Sequence, residues 1–206
     1  TYSDCSIFSF HPVKHLTTGE GGAITTNSKE IYEKLLTLRT HGMVKGSNMK
    51  LGEYEMKDLG FNYRITDIQA ALGSSQLKRL DRFIKRRHEI ANTYNEFLGS
   101  MPLDIPYQSS NQSSSFHLYV IKLHNPGLRK GLFNYLRENG VLVNIHYIPI
   151  HRQPFYQKIG FEKGDFKNSE DYYDRAISLP IFYDLKREEQ IYVIDLIRSF
   201  FKQNDS

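Results

Sequence analysis

Lys14 stands where the aromatic run Phe8-Ser9-Phe10 gives way to a loop that closes on Gly19, Gly21 and Gly22. A lysine that attacks a carbonyl carbon must be fixed in position, must reach its target, and must shed its proton in a desolvated pocket. A junction between strand and loop supplies the rigidity. The glycines allow backbone to approach a bulky group, and Ser9 offers a hydroxyl to a phosphate oxygen. On these residues alone, an exposed lysine in a surface turn is the simpler reading.

Two further sets of residues could do chemistry. Asn62 and Arg64 precede a helix-like pattern; they could present polar groups to a ligand or cap and orient that helix. His146 and Tyr147 follow an apolar run, where a lone histidine is more often a satisfied structural residue than a ligand. The other seven histidines show no metal-ligand spacing, so no structural metal is expected.

The elements that must position these groups follow from periodicity. Strands are expected at about residues 5–10 and 23–26, with Asn27 or Ser28 capping a helix that runs to about His41. Residues 42–60, interrupted by four glycines, read as a long loop. Thr66 or Asp67 caps one long helix reaching Leu98, with Leu77, Leu80, Ile84 and Ile90 facing inward. The tract 100–115, with Pro102, Pro106 and a serine-rich stretch, reads as a crossing between lobes. Beyond it lie a strand at 116–123, a helix at 128–139 stopped by Gly140, a strand at 141–146, a helix at 169–176, a short strand at 177–179 and an amphipathic helix at 186–201. The predicted architecture is α/β: residues 1–98 as part of a larger domain ending in the long helix, and 99–206 as a small α+β domain.

The 206 residues are 39% hydrophobic with a formal charge of +4, enough for a sizeable core and a mild attraction to anions. Much of the excess lies in Lys78, Arg79, Arg82, Lys85, Arg86 and Arg87. These read as a solvated helix face rather than a nucleic-acid footprint, because the interleaved aromatics that stack on bases are missing. No apolar run is long enough to span a membrane and the first residues do not resemble a signal peptide, so a cytoplasmic protein is expected. The single cysteine, Cys5, reads as a small core residue. The chain lacks an initiator Met and enters a strand almost at once, so it reads as a fragment.

Three segments resemble the nucleotide-sugar aminotransferases of the DegT and StrS type: FSFHPVKHLTTGEGGAITT at 8–26, LGFNYRITDIQAALGSSQLKRLD at 59–81, and HYIPIHRQPFY at 146–156. They occur in the family's order and cover essentially the whole chain. The resemblance implies the C-terminal portion of a fold-type-I enzyme dependent on pyridoxal 5'-phosphate (PLP). Lys14 then matches the lysine that bonds the cofactor and shuttles protons, and Ser9 matches a contact to cofactor phosphate or substrate. Asn62 matches the asparagine presented to the phosphate of the neighbouring subunit, with Arg64 in the same loop, which implies a homodimer with shared active sites. His146 and Tyr147 fall where the small domain helps hold the nucleotide-sugar.

Some relatives that dehydrate sugars carry histidine at the lysine position, so Lys14 favours transamination, with glutamate as the expected donor. The details HPVK, HGM and HYIPI point within the family to the branch that serves pseudaminic acid, a bacterial surface sugar. The family's N-terminal half, with the acid that pairs the pyridine nitrogen, is missing here. The chain alone is therefore expected to be inactive and poorly soluble. The competing readings are a regulatory protein on the same fold and an interaction module that uses the basic helix at 78–87.

Overall fold

The computed structural model describes residues 2–45, 50 and 52–204, which divide into two compact units, Thr1–Asp81 and Arg82–Ser206. In the first unit β1 (Cys5–Ser9) pairs antiparallel with β2 (Gly22–Thr26), in a register that sets Cys5 opposite Thr26 and Ser9 opposite Gly22. Gly22 is required there, because a Cβ would stand 2.7 Å from the Phe8 carbonyl oxygen. Every residue of β1 is exposed, so Cys5 is not the core residue its size suggests. An apolar strand sequence records a preference for burial; the elements around it decide whether burial occurs.

The helix α1 (Lys29–Leu38) starts where Ser28 accepts a hydrogen bond from the Ile31 amide at 3.3 Å. It ends before His41 and Gly42, both at positive φ. The expected loop that follows contains a minimal ladder, in which β3 (Met43–Val44) pairs with β4 (Glu55–Met56); residues 46–49 and 51 lie outside the described set.

α2 (Asp67–Leu77) opens with a full capping box. Thr66 Oγ1 accepts from the Gln69 amide, and Gln69 Oε1 in turn accepts from the Thr66 amide. The single long helix expected from 66 to 98 is in fact two. At Lys78 the turn tightens, the Arg79 amide bonds to the Gln76 carbonyl three residues back, and α3 (Leu80–Leu98) begins anew. Leu77, expected to face inward, is exposed in consequence. No apolar side chain described in the first unit is buried.

The second unit has a true core. Ile90, Ala91, Tyr94 and Leu98 follow helical spacing along α3 and are fully buried. They belong to one apolar cluster with Tyr119, Ile121 and Leu123, the alternate positions of β6 (Tyr119–Leu123). α4 (Arg129–Glu138) adds Leu132 and Leu136. Short helices α5 (Pro154–Lys158) and α6 (Lys167–Arg175) lead to β7 (Ala176–Leu179), and α7 (Arg187–Asn204) closes the cluster with Val193, Ile194, Ile197, Phe200 and Phe201. Each such side chain contributes about 1.5–3 kcal/mol on burial, so this unit holds most of the chain's hydrophobic stabilisation.

Two expectations are corrected here. Residues 100–115 do not simply cross between lobes: β5 (Leu103–Asp104) pairs with β6, which pairs with β7, giving an antiparallel sheet in the order β5-β6-β7. Residues 141–146 form no strand; only Asn144 bridges, to Ser178. Buried Val141 and Val143 alternate with exposed Leu142 as a strand would, yet the ladder they would extend is not made.

The basic run is also more structural than expected. Arg87 is buried and its Nη1 donates to the Phe116 and His117 carbonyls at 2.9 and 3.2 Å. Burial lowers its pKa from the ordinary value. Arg86 donates to the Leu185 carbonyl at 2.6 Å, and Arg82 lies over the Tyr183 ring.

Candidate active site

Lys14 lies in the loop between β1 and β2, half-buried, with its amide donating to the His11 carbonyl at 3.0 Å. The loop is tied at both ends. Phe10 donates to the Gly21 carbonyl at 2.9 Å, and the Phe10 carbonyl accepts from the Thr18 amide and from Thr17 Oγ1, each at 3.0 Å. Thr18 Oγ1 donates to the Glu20 carbonyl at 2.7 Å, and a Cβ on Gly21 would sit 2.5 Å from that oxygen. Two threonines therefore hold the loop from within. The sequence reading missed them; hydroxyl residues directly before a glycine turn were the available signal.

α2 supports the loop from outside. Gln69 Nε2 donates to the Glu20 carbonyl at 3.0 Å, and Gly73 passes so near Thr18 that a Cβ would fall 2.8 Å from its methyl group. Ser9 is exposed, and its hydroxyl oxygen accepts one long bond, 3.5 Å, from the His11 amide, which leaves its proton for another acceptor.

Asn62 is held by backbone. It bridges Thr40, while Phe61 donates to the Leu38 carbonyl, His41 to the Phe61 carbonyl, and Tyr63 to the Arg39 carbonyl. The strands of chain cross so tightly that a Cβ on Gly42 would overlap the Asp58 carbonyl oxygen and one on Gly60 would overlap the Gly42 nitrogen. The Asn62 and Arg64 side chains are exposed and make no hydrogen bond to any described residue. Since Thr66 caps α2, the helix-capping alternative for Asn62 and Arg64 fails. They share the unit of Lys14, connected to its loop through α2; no hydrogen bond among the described residues joins either of them to the loop directly.

His146 and Tyr147 belong to the second unit. The Asn144 amide donates to the Ser178 carbonyl at 3.3 Å and the Ser178 amide to the Asn144 carbonyl at 2.8 Å. Just beyond, His146 Nδ1 lies 2.7 Å from Ser178 Oγ. The His146–Tyr147 peptide is cis, and the Tyr147 ring meets the imidazole edge-on at 4.7 Å while remaining 72% exposed. The structural reading of His146 and the ligand reading of Tyr147 are thus compatible: one residue is anchored and the next is displayed.

The donor set suits a phosphorylated aldehyde. By type, an amine on a braced loop can bond its carbonyl carbon, while a hydroxyl, an amide and a guanidinium can donate to phosphate oxygens. No group of three or more histidine, cysteine or acidic side chains that could hold a metal occurs among the described residues. No described helix is long and apolar enough to cross a membrane.

The chain belongs to the DegT/DnrJ/EryC1/StrS aminotransferase family, which it matches over residues 1–198. It is 39% identical over 186 residues to the UDP-4-amino-4,6-dideoxy-N-acetyl-beta-L-altrosamine transaminase of Helicobacter pylori, covering 89% of this chain and 48% of that one. It is 35% identical to the spore coat polysaccharide biosynthesis protein SpsC of Bacillus subtilis, covering 98% and 55%. The structure superposes on Helicobacter pylori PseC, an aminotransferase involved in the biosynthesis of pseudoaminic acid, with a TM-score of 0.91 at 35% identity, over 98% of this chain and 54% of that one. The PMP-form of the sugar aminotransferase Spr1654 from Streptococcus pneumoniae gives 0.92 at 28% identity, over 98% and 54%. The chain spans about half the length of the curated relatives it matches. Its fold is the C-terminal portion of a fold-type-I PLP-dependent transferase, and the family's aminotransferases use PLP.

Proposed function

We propose that this chain is the C-terminal portion of an aminotransferase that moves an amino group, from glutamate, to a keto-sugar carried on a nucleoside diphosphate in the cytoplasm. The branch it fits best is the one that makes bacterial surface sugars of the pseudaminic-acid kind. The observation that carries the reading is the setting of Lys14: a half-buried amine on a loop braced by Thr17, Thr18 and α2, within a chain matched to the family over residues 1–198. Similarity to the Helicobacter pylori transaminase supports the choice of branch.

PLP, when bound, supplies the electron sink that lets an amino acid lose its α-proton. The chain's residues do the rest. Lys14 would hold the cofactor through its Nζ, and its free amine would take and return the proton at the substrate carbon, acting as base and then acid. Ser9 donates its free proton to a phosphate oxygen. Asn62 and Arg64 project from a tightly crossed stretch of backbone toward a second copy of the chain, completing that copy's site in a homodimer. His146, anchored on Ser178, displays Tyr147 to the nucleotide-sugar.

Residues 1–98 belong in this reading to the large domain and 99–206 to the small one. The chain by itself is inactive, because the partner of the pyridine nitrogen lies in the part of the family fold not represented here.

The deciding experiment uses protein expressed with the coding sequence that precedes Thr1. It is supplied with PLP, reduced with borohydride and mapped by peptide mass. Phosphopyridoxyl on Lys14 supports the proposal; an unmodified Lys14 refutes it.

A further inference from the structure

The segment that displays Tyr147 is fastened at both ends. At one end His146 bonds to Ser178 on β7. At the other, His151 Nε2 lies 2.7 Å from Glu170 Oε1 on α6, the helix directly before β7. His151 and Glu170 are 6% and 8% exposed, and the same carboxylate oxygen accepts the Gly164 amide at 2.6 Å. The His151 ring also packs on Phe166 at 4.9 Å. Between the two fastenings Tyr147 and Ile148 are exposed and Pro149 is buried.

A covered contact between a histidine and a carboxylate is a poor way to stabilise a fold, because desolvating the two groups offsets their attraction and a well-packed apolar pair does as well. Its distinctive property is geometric. The carboxylate accepts from two directions at once and so fixes the Ile150–Arg152 turn and the Gly164 loop against the same helix. The neighbouring pair of half-buried Arg152 and exposed Asp174, at 4.0 Å, adds little to this.

We propose that Glu170 and His151 form a positioning pair that sets the presentation of Tyr147 and Ile148 to the nucleoside diphosphate part of the substrate. The substrate side of this inference rests on the function proposed above. A short span tied at both ends has little freedom to lose on binding, so the pair acts by preorganisation rather than by touching the ligand.

The test compares wild type, Glu170→Ala and Glu170→Gln, each expressed with the coding sequence preceding Thr1. Binding of UDP, GDP and dTDP is titrated, and the donor half-reaction is followed as the change in cofactor absorbance on adding glutamate. Glu170→Ala should weaken binding of whichever nucleotide the wild type prefers by about tenfold, the scale expected when a binding group is misplaced. The glutamate half-reaction should stay within about twofold, since the pair is assigned to nucleotide presentation alone. Glu170→Gln, which keeps an acceptor oxygen, should recover most of the loss.

Amide exchange provides a second readout independent of cofactor and substrate. Glu170→Ala should speed exchange at Arg152, Gln153 and Gly164 and leave Asn144 and Ser178 protected. Unchanged nucleotide affinity with slow exchange at Arg152 and Gln153 overturns the inference, as does an equal loss in both half-reactions. If the wild type holds no cofactor and no nucleotide, the functional proposal fails by itself, and the exchange pattern alone decides the positioning pair.

Discussion

His146 and Ser178 meet through their side chains at 2.7 Å, two residues beyond a backbone bridge that already joins Asn144 to Ser178. Ser178 thus anchors the display segment by main chain and side chain together. Ser178→Ala removes only the hydroxyl. The expected loss is about 1 kcal/mol of stability, the net worth of one such bond, read by urea unfolding. In the longer protein the same variant should raise KM for the nucleotide-sugar and leave kcat nearly unchanged.

Arg87 gives a larger effect. Its Nη1 serves the carbonyls of Phe116 and His117, and Phe116 itself sits at φ 49°. Arg87→Met keeps the aliphatic packing but strands both acceptors. A loss of about 2–4 kcal/mol is expected, and a lower urea midpoint with an unchanged m-value would confirm it.

Lys14→Ala should abolish phosphopyridoxyl labelling and the yellow chromophore in protein expressed with its preceding coding sequence. Alanine keeps the bond from the residue 14 amide to the His11 carbonyl, and circular dichroism checks that the fold is retained. Persistent labelling at another lysine would refute the assignment.

Acid should loosen the second unit. The Gly164 amide first, and then His151, hold the Glu170 carboxyl below its ordinary value of 4.5; the hydrogen bond from Lys122 does the same for Asp104 below 3.8. Both groups bind protons more weakly folded than unfolded. Their contribution is therefore complete above those ordinary values and is lost as pH falls below them toward the depressed folded values. The melting temperature should be flat between pH 6 and 5 and fall below about 4.5. Glu170→Gln should flatten part of that fall, and an unaltered slope would show that Glu170 takes no part in it.

Gly42 and Gly60 are not replaceable. Gly42 has φ 72°, and a Cβ on either residue would overlap backbone of the crossing segment. Gly60→Ala should displace Asn62 from its bridge to Thr40. The check is amide exchange at His41 and Tyr63, which should accelerate, with the second unit unaffected.

Local chemistry made much of this molecule legible. The cap at Ser28, the capping box at Thr66, the stop at Gly140 and the alternation of Tyr119, Ile121 and Leu123 are short-range signals, and each is found where its sequence places it. Errors arose where the outcome depended on distant chain. Nothing in Lys78 or Arg79 resists a helix, yet the turn tightens there. Val141 and Val143 alternate like a strand but find no partner ladder, and Arg87 looks like surface charge until the 116–117 carbonyls converge on it. Of the candidate site, the family motifs point to Lys14 and Asn62, and the place of Thr17 and Thr18 before a glycine turn carries a local signal, whereas the His151–Glu170 pair is joined across folded loops and is visible only in three dimensions.

The first unit buries no described apolar side chain, and it is the unit that carries Lys14. Apolar burial therefore contributes little to its ordered state, which leaves more of that stability to come from binding. A ligand that engages the folded loop but not the unfolded chain shifts that equilibrium by RT ln(1 + [L]/Kd), about 2.7 kcal/mol at a hundredfold excess over Kd. A ligand bound by this unit would act here as part of the folding reaction. The thermal profile of this half of the molecule should move with its concentration, while the α3-to-α7 core melts at a temperature of its own.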